Sequence, residues 1–361
     1  RRTEIIPATG DVTDEDLIAR ENVVVTITST GYAKRTKVDS YKAQKRGGKG
    51  VRGAELKQDD IVKNFFVCST HDWILFFTNF GRVYRLKAYE LPEGGRAARG
   101  QHVANLLEFQ PEEKIAQVIQ IQSYEDAPYL VLATQQGRVK KSRLTDYESA
   151  RSAGLIAINL NEGDALIGAQ LVSEGDDILL TSEQGQAIRF TADDDQLRPM
   201  GRATAGVKGM RFRGDDQLLS MSVVHDGEFL LVATSGGYGK RTAIEEYTPQ
   251  GRGGLGVMTF KYTPKRGKLI GAISVDEDDE IFAITSAGGV IRTEVDQIRP
   301  SSRATMGVRL VNLADDVELL AIDRNVEEDG EEDAQAVAKG EKTVDEVQQE
   351  HKAGDASKDE E

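Results

Sequence analysis

The chain has 361 residues, a net charge of −14, 39% hydrophobic content, 36 glycines and a single cysteine. That is material for two average domains or one large repeat array, and Cys68 alone excludes an internal disulfide framework and fits a reducing cytoplasm. No apolar run approaches the roughly 18 residues of a membrane span, and no secretory apolar core is present.

The chain starts on Arg1 rather than Met, which reads as a piece of something longer. Residues 1–20 form a lead-in segment. Thr13 with Asp16 three residues on is a capping-box signature ahead of Leu17 and Ile18, predicting one or two helical turns. From residue 21 a repeat takes over: a β-rich run, a polar turn closing on Gly, then a second run rich in cations. The turn glycines are Gly31, Gly81, Gly137, Gly185, Gly237 and Gly288, spaced 50, 56, 48, 52 and 51 residues apart. Residues 54–64 read as a short helix between the first two copies.

Each hairpin is followed by a loop ending in Gly and a short apolar strand. The loop glycines are Gly50, Gly100, Gly154, Gly206, Gly256 and Gly307. An Arg stands four residues ahead in five copies (Arg46, Arg96, Arg202, Arg252, Arg303), and in the third Arg151 is three ahead. Two markers in six copies, about 50 residues apart with about four strands per copy, predict propeller blades over residues 21–324. Trp73–Phe77 and Ile178–Leu180 are almost continuously apolar, as expected where a sheet is covered on both faces. After Arg324, 14 Asp/Glu and 4 Lys supply −10 of the net charge, and residues 325–361 read as a disordered acidic tail. The body is therefore nearly neutral, so the overall charge does not exclude a polyanion.

Cations follow every hairpin glycine: Lys34 and Arg35, Arg82 and Arg85, Arg138 with Lys140 and Lys141, Arg189, Lys240 and Arg241, and Arg292. On radial blades they would recur around one perimeter as a track for a phosphate backbone with weak sequence preference. The alternative is that they only guard strand edges and solubilise the fold. The first loop is richer, reading Gln44-Lys45-Arg46-Gly47-Gly48-Lys49-Gly50. Its glycines allow tight backbone approach and its cations attract phosphate. The fifth loop, Gln250-Gly251-Arg252-Gly253-Gly254-Leu255-Gly256, keeps Gln, Arg and the glycines without the lysines and is expected to be structural. Its G-x-G-x-x-G pattern is followed by strand-like Val257–Phe260, not the helix a dinucleotide site requires. His71, His102, His225 and His351 show no metal-ligand spacing, and no Walker A sequence occurs.

Six Gly-turn blades with this heptapeptide resemble the C-terminal domain of bacterial DNA gyrase A subunits, over essentially the whole chain. The loop looks like that family's gyrase box, which the related topoisomerase IV lacks in intact form. The resemblance implies an all-β six-bladed β-pinwheel, a propeller-like disc whose blades exchange a strand. It implies that double-stranded DNA wraps around the rim so that gyrase introduces negative supercoils with ATP. It implies partners in the gyrase A N-terminal region and the gyrase B subunit of an A2B2 assembly in the bacterial cytoplasm, at the nucleoid. No cofactor is expected in this domain, because ATP, Mg2+ and the DNA-cleaving tyrosine belong elsewhere in that assembly. The alternatives are a topoisomerase IV C-terminal domain that senses DNA geometry, a protein-binding propeller and, more distantly, an enzymatic propeller.

Overall fold

The computed structural model describes residues 14–41, 60–149 and 154–354. Repeat one forms β1 (Asn22–Thr28), β2 (Tyr32–Lys37) and β3 (Val62–Ser69). Repeat two forms β4 (Trp73–Thr78), β5 (Arg82–Lys87), β6 (Gln101–His102) and β7 (Ile115–Ile121). Repeat three gives β8 (Tyr129–Thr134), β9 (Arg138–Arg143), β10 (Leu155–Ile156) and β11 (Leu166–Val172). Repeat four gives β12 (Asp177–Ser182), β13 (Gln186–Thr191), β14 (Val207–Lys208) and β15 (Leu218–Val224). Repeat five follows with β16 (Phe229–Thr234), β17 (Tyr238–Ala243), β18 (Val257–Met258) and β19 (Leu269–Val275). Repeat six ends the array with β20 (Glu280–Thr285), β21 (Val290–Glu294), β22 (Val308–Arg309) and β23 (Leu319–Arg324).

The sheets are not the repeats. The first four sheets run β3-β1-β2-β6, β10-β5-β4-β7, β11-β8-β9-β14 and β15-β12-β13-β18. The fifth runs β19-β16-β17-β22, and the sixth, among the described residues, β21-β20-β23. Each two-residue strand leaves its own repeat to complete the sheet of the one before it, so the fold is the six-bladed, strand-exchanged disc expected from the sequence. The strands β3, β7, β11, β15, β19 and β23 line a common polar channel through Asn64, Gln117, Gln170, Ser220, Ser274 and Asp323. They are the inner edge of the disc, and the exchanged strands are its outer edge.

Continuously apolar strands follow from this arrangement. Ile74 and Phe76 pack into one interblade cluster with Val23, Val25 and Ile27, while Leu75 and Phe77 face the other way, towards Leu130 and Leu132. Phe76 and Phe77 are both fully buried although their side chains leave opposite faces of β4. No single blade owns a core; each pair of neighbours makes one.

The loop glycines mark where the exchange happens. Gly206 has φ +73°, and a Cβ on it would lie 2.4 Å from the Val139 carbonyl oxygen of the preceding sheet. Gly256 repeats this with φ +70° and 2.2 Å to the Ala187 oxygen. A side chain is excluded there by both the left-handed backbone and the close approach of the neighbouring strand.

The acidic C-terminal segment departs from expectation. Residues 326–354 are not disordered; they form α1 (Val326–Lys339) and α2 (Val344–Gly354), while residues 355–361 lie outside the described set. The Asn325 side chain caps α1 by accepting from the Glu327 N–H at 3.2 Å, and Gly340 at φ 75° ends it. Ala334, Val337, Val344 and Val347 bury against Val24, Val38, Tyr41 and Val67, on the face of blade one that blade two does not cover. Average composition hides these few apolar residues, but helical spacing puts them on one side, and the uncovered face of β1 and β3 gives them something to bury against. Gly330 permits the contact: a Cβ there would lie 2.2 Å from the Phe65 ring. Nearer the axis, blades one and six touch directly through Ile61 against Phe282 and Ile284 and through Lys63–Asp323 at 3.6 Å.

Two smaller expectations also shift. The lead-in helix is a 3-10 turn at Asp14–Leu17, with Thr13 outside the described residues. Of the short helix expected over 54–64, the segment from Val62 is already strand β3, and residues 54–59 lie outside the described set.

Gly206→Ala should lower stability by at least ~1 kcal/mol, the scale of one strained left-handed residue. Gly251→Ala, with no atom within 4 Å of its Cβ position and no positive φ, should be nearly neutral. Paired thermal melts check this, and equal melting temperatures would contradict the close-approach argument.

Candidate nucleic-acid interface

The first loop, Gln44, Lys45, Arg46, Gly47, Gly48, Lys49 and Gly50, lies outside the described residues; Tyr41, the last described residue before it, is buried under α1. The remaining candidate cations are on the second hairpin strand of each repeat, and the structure places that strand inside the disc.

The residue three after the hairpin glycine is a buried lysine in repeats one, three and five. Lys34 donates to the carbonyls of Gly95 at 3.0 Å and Arg96 at 2.5 Å. Lys140 donates to the carbonyls of Ala157 and Arg202. Lys240 donates to the Ser302 carbonyl at 2.6 Å, to that of Arg303 and to the Thr305 hydroxyl at 3.1 Å. Burial, with the Arg202 charge adding to it, holds Lys140 down at about 7 against an ordinary 10.5. Lys34 and Lys240 fall to about 8, again chiefly through burial.

The next position ties neighbouring blades together. Arg35 donates to the Leu91 carbonyl at 2.9 Å and to Glu93 at 3.0 Å. Lys141 reaches the Ala192 carbonyl at 2.8 Å and Asp194 at 3.0 Å. Arg189 bridges Asp177 at 2.7 Å and Asp226 at 3.0 Å, and Arg241 bridges the Ile298 carbonyl at 2.5 Å and Glu277 at 2.8 Å. Arg85 stacks over Trp73 at 4.3 Å and donates to the Tyr124 hydroxyl.

The expectation of an outward-facing track is therefore corrected for Lys34, Lys140, Lys141, Arg189, Lys240 and Arg241, each at most 8% exposed. Where blades cover both faces of this strand, as around these six residues, alternation along it leads from one interface to the next rather than to solvent. Arg138, half-buried, donates to the carbonyls of Ala205 at 2.9 Å and Gly206 at 2.6 Å, holding the exchanged loop. Arg82, also half-buried, lies over Tyr84. Arg292 is exposed on β21 and paired with Glu280 at 2.7 Å.

The recurring loop arginine acquires a role that its spacing alone did not reveal. Arg202 donates to the Ile156 carbonyl at 2.7 Å, Arg252 to that of Lys208 at 3.0 Å and Arg303 to that of Met258 at 3.1 Å. Each clamps the outer strand that the previous repeat has just exchanged. In the fifth loop, Arg252 also holds Gln196, and the Gln250 N–H donates to the Arg189 carbonyl at 2.8 Å, which gives this degraded copy a structural role. Arg96 differs, pairing with Glu331 of α1 at 2.5 Å and stacking on Tyr41.

Several of the cations that reach solvent are on the exchanged strands and the segments beside them. Lys208 and Arg211 are exposed on and just after β14. On β22, Arg309 is exposed and donates to the Tyr238 hydroxyl at 2.9 Å, with Arg266 stacked 4.3 Å from the same ring and Lys265 exposed next to it. The bond from Arg309 pulls the Tyr238 phenol below its ordinary value. Hairpin self-comparison could not find this set, because these cations follow the loop glycine rather than the turn glycine, and only strand exchange brings them to the rim.

Residues 22–69, 72–122, 128–173, 176–225, 228–276 and 279–325 match the family model described as "DNA gyrase C-terminal domain, beta-propeller". The chain is 69% identical over 329 residues to the DNA gyrase A subunit of Mycolicibacterium smegmatis, covering 91% of this chain and 39% of that protein. It is 68% identical over 334 residues to the DNA gyrase A subunit of Mycobacterium tuberculosis H37Rv, covering 92% and 40%. The chain thus spans about two fifths of the length of these relatives. Among solved structures, the C-terminal domain of a DNA topoisomerase IV superposes with a TM-score of 0.78 at 27% identity, covering 90% of this chain and 99% of that one. A DNA gyrase A C-terminal domain superposes with a TM-score of 0.64 at 29% identity, covering 84% and 99%. Blade by blade, in sequence and in strand exchange, the chain belongs to the family of DNA gyrase C-terminal β-propeller domains.

Proposed function

We propose that this domain binds and wraps double-stranded DNA around its outer edge, largely without sequence preference, so that a gyrase assembly introduces negative supercoils in an ATP-dependent reaction. The observation that carries this reading is the position of Lys208, Arg211, Lys265 and Arg309. They sit on or beside the exchanged outer strands, on scaffolds fixed by buried cations and clamped carbonyls. Such groups meet phosphates and carry no base-reading geometry. Bending duplex DNA by half a turn over a few tens of base pairs costs on the order of 10 kcal/mol, so contacts must be spread along the arc and no single blade suffices.

In this reading the gyrase box, Gln44 to Gly50, fastens one end of the wrap, with Lys45, Arg46 and Lys49 as its cations. The domain works with the gyrase A N-terminal region and gyrase B in an A2B2 assembly at the bacterial nucleoid. DNA cleavage, ATP and Mg2+ belong to those other parts. A topoisomerase IV role is disfavoured by the intact box and by the gyrase A relatives at 68–69% identity.

Relaxing and religating a plasmid with the domain bound should shift its linking number. Lys208→Gln with Arg309→Gln should shrink the shift and flatten the salt dependence of binding. A protein-binding propeller would leave the linking number unchanged. Replacing Lys45, Arg46 and Lys49 by Ala should abolish supercoiling by the full enzyme and spare relaxation; loss of both would contradict the wrapping role.

The acidic C-terminal segment tempers the wrap. It acts as a docked element: α1 sets Glu331 on Arg96 and Glu327 near Lys34, beside the strand that leads into the box. Truncation after Arg324 would also bare Val24 and Val67, so charge substitution is the cleaner test. Glu331→Gln with Glu332→Gln should tighten DNA binding at moderate salt while the melting temperature stays near wild type. Unchanged affinity would rule the idea out.

A further inference from the structure

The disc has two unlike faces, and backbone hydrogen bonds define both. On one, the hairpin-turn amides of Gln135, Glu183 and Ser235 donate to the carbonyls of Ala165, Gln217 and Lys268, in the loops that follow exchanged strands. On the other, the amides of Leu144, Ala192 and Ile244 donate to the carbonyls of Pro128, Asp176 and Glu228, in the turns between repeats. Strands of six residues hold these faces about 20 Å apart. Charge divides between them. Under sheets three to five, the turns 123–128, 144–148, 173–177, 193–197, 225–228 and 244–247 each hold at least two acidic residues and neither Lys nor Arg. Arg143 and Arg198 stand at their margins. Asp194 and Asp226 pair with Lys141 and Arg189, but Glu125, Glu148, Glu174 and Asp195 are exposed. On the hairpin-turn side, segments 207–213, 257–268 and 308–314 begin on the exchanged strands of sheets three, four and five. Together they hold eight Lys/Arg and no Asp or Glu. Lys208 pairs with Arg138 and Arg309 with Tyr238, the first residues after the turn glycines, which puts these cations at the hairpin-turn margin of the rim. The acids of these loops come later, towards the inner strands, where Asp216 accepts from the Gln184 amide at 2.9 Å. The pattern stops at sheet two: the equivalent segments 101–113 and 155–165 contain neither Lys nor Arg.

We propose that this separation of charge seats DNA off the mid-plane of the disc. DNA lies against the hairpin-turn margin across sheets three to five and leaves that margin over sheets one and two, so the bound path is inclined to the disc. The screening length in physiological salt is about 8 Å, less than half the distance between the margins, so the acids at one do not cancel the cations at the other. A phosphate backbone on the rim is drawn to one margin and repelled from the other. A bend confined to one plane has no handedness, whereas an inclined bend has one. The acidic turns thereby act on writhe without touching DNA, as positioning residues. The handedness rests on the wrapping reading; the seating requires only that DNA binds.

Tethered cleavage reports the seating directly. Cys68 is fully buried, so a cysteine introduced at an exposed position takes an iron-EDTA label in its place. Asn312→Cys marks the hairpin-turn margin of sheet five, next to Val311, whose amide donates to the Gly237 carbonyl; Thr248→Cys marks the opposite face beside Tyr247. Bound duplex should be cut from Asn312→Cys and spared from Thr248→Cys, and equal cutting from both would overturn the proposal. The acidic turns are tested by combining Glu125→Gln, Glu148→Gln, Glu174→Gln and Asp195→Asn. DNA affinity at moderate salt should rise severalfold while the linking-number shift per bound domain falls. A shift that stays the same, or rises with affinity, would also overturn it; loss of folding lowers both and does not move them apart. A wild-type domain that binds DNA without a linking-number shift would count against wrapping alone, and the tethered cuts would still decide the seating.

Discussion

The architecture depends on one close approach, repeated around the disc. A loop from each of repeats two to six crosses to the preceding sheet and brings its backbone within reach of that sheet's second hairpin strand, at a distance only glycine tolerates. From that contact the two-residue strand pairs outward, as Val207–Lys208 pairs with Val139 and Arg138. The exchange removes the free outer edge that each three-stranded blade would otherwise expose. It also makes the cores interfacial, so the blades are stable together rather than singly.

Buried charge is the second layer of this design. Lysines and arginines inside the strands meet backbone carbonyls and carboxylates of the next blade, where a hydrophobic side chain would hold the loop without fixing its orientation. The loop arginines clamp carbonyls of the exchanged strands from outside, as in Arg202 to Ile156. Cationic composition in this chain therefore serves the fold first. Among the cations that reach solvent are Lys208, Arg211, Lys265 and Arg309, on the exchanged strands and their flanks.

The seam between the first and last blades is organised differently. Five sheets receive a fourth strand from the next repeat; the sixth has three strands among the described residues. The face of blade one turned from blade two is covered by α1 and α2, whose acidic residues stand beside Arg96 and Lys34. The segment with the most negative charge is thus folded onto blade one, which couples a structural cover to a local electrostatic field.

The sequence by itself determined the number of blades, the hairpin and loop turns and the kinship. These are local matters: a turn needs glycine wherever φ is positive, and a strand covered on both faces needs apolar side chains in succession, so both leave marks in the residue order. The alternation of Lys34, Lys140 and Lys240 was also written there, but a search at a 50-residue period averages it away. Only the tertiary structure decided which cations face inward, because strand exchange changes what a position touches without changing what it is. It likewise decided that the acidic segment folds, since the apolar residues of α1 and α2 are too few to be read as a core until the bare face of blade one supplies the other half.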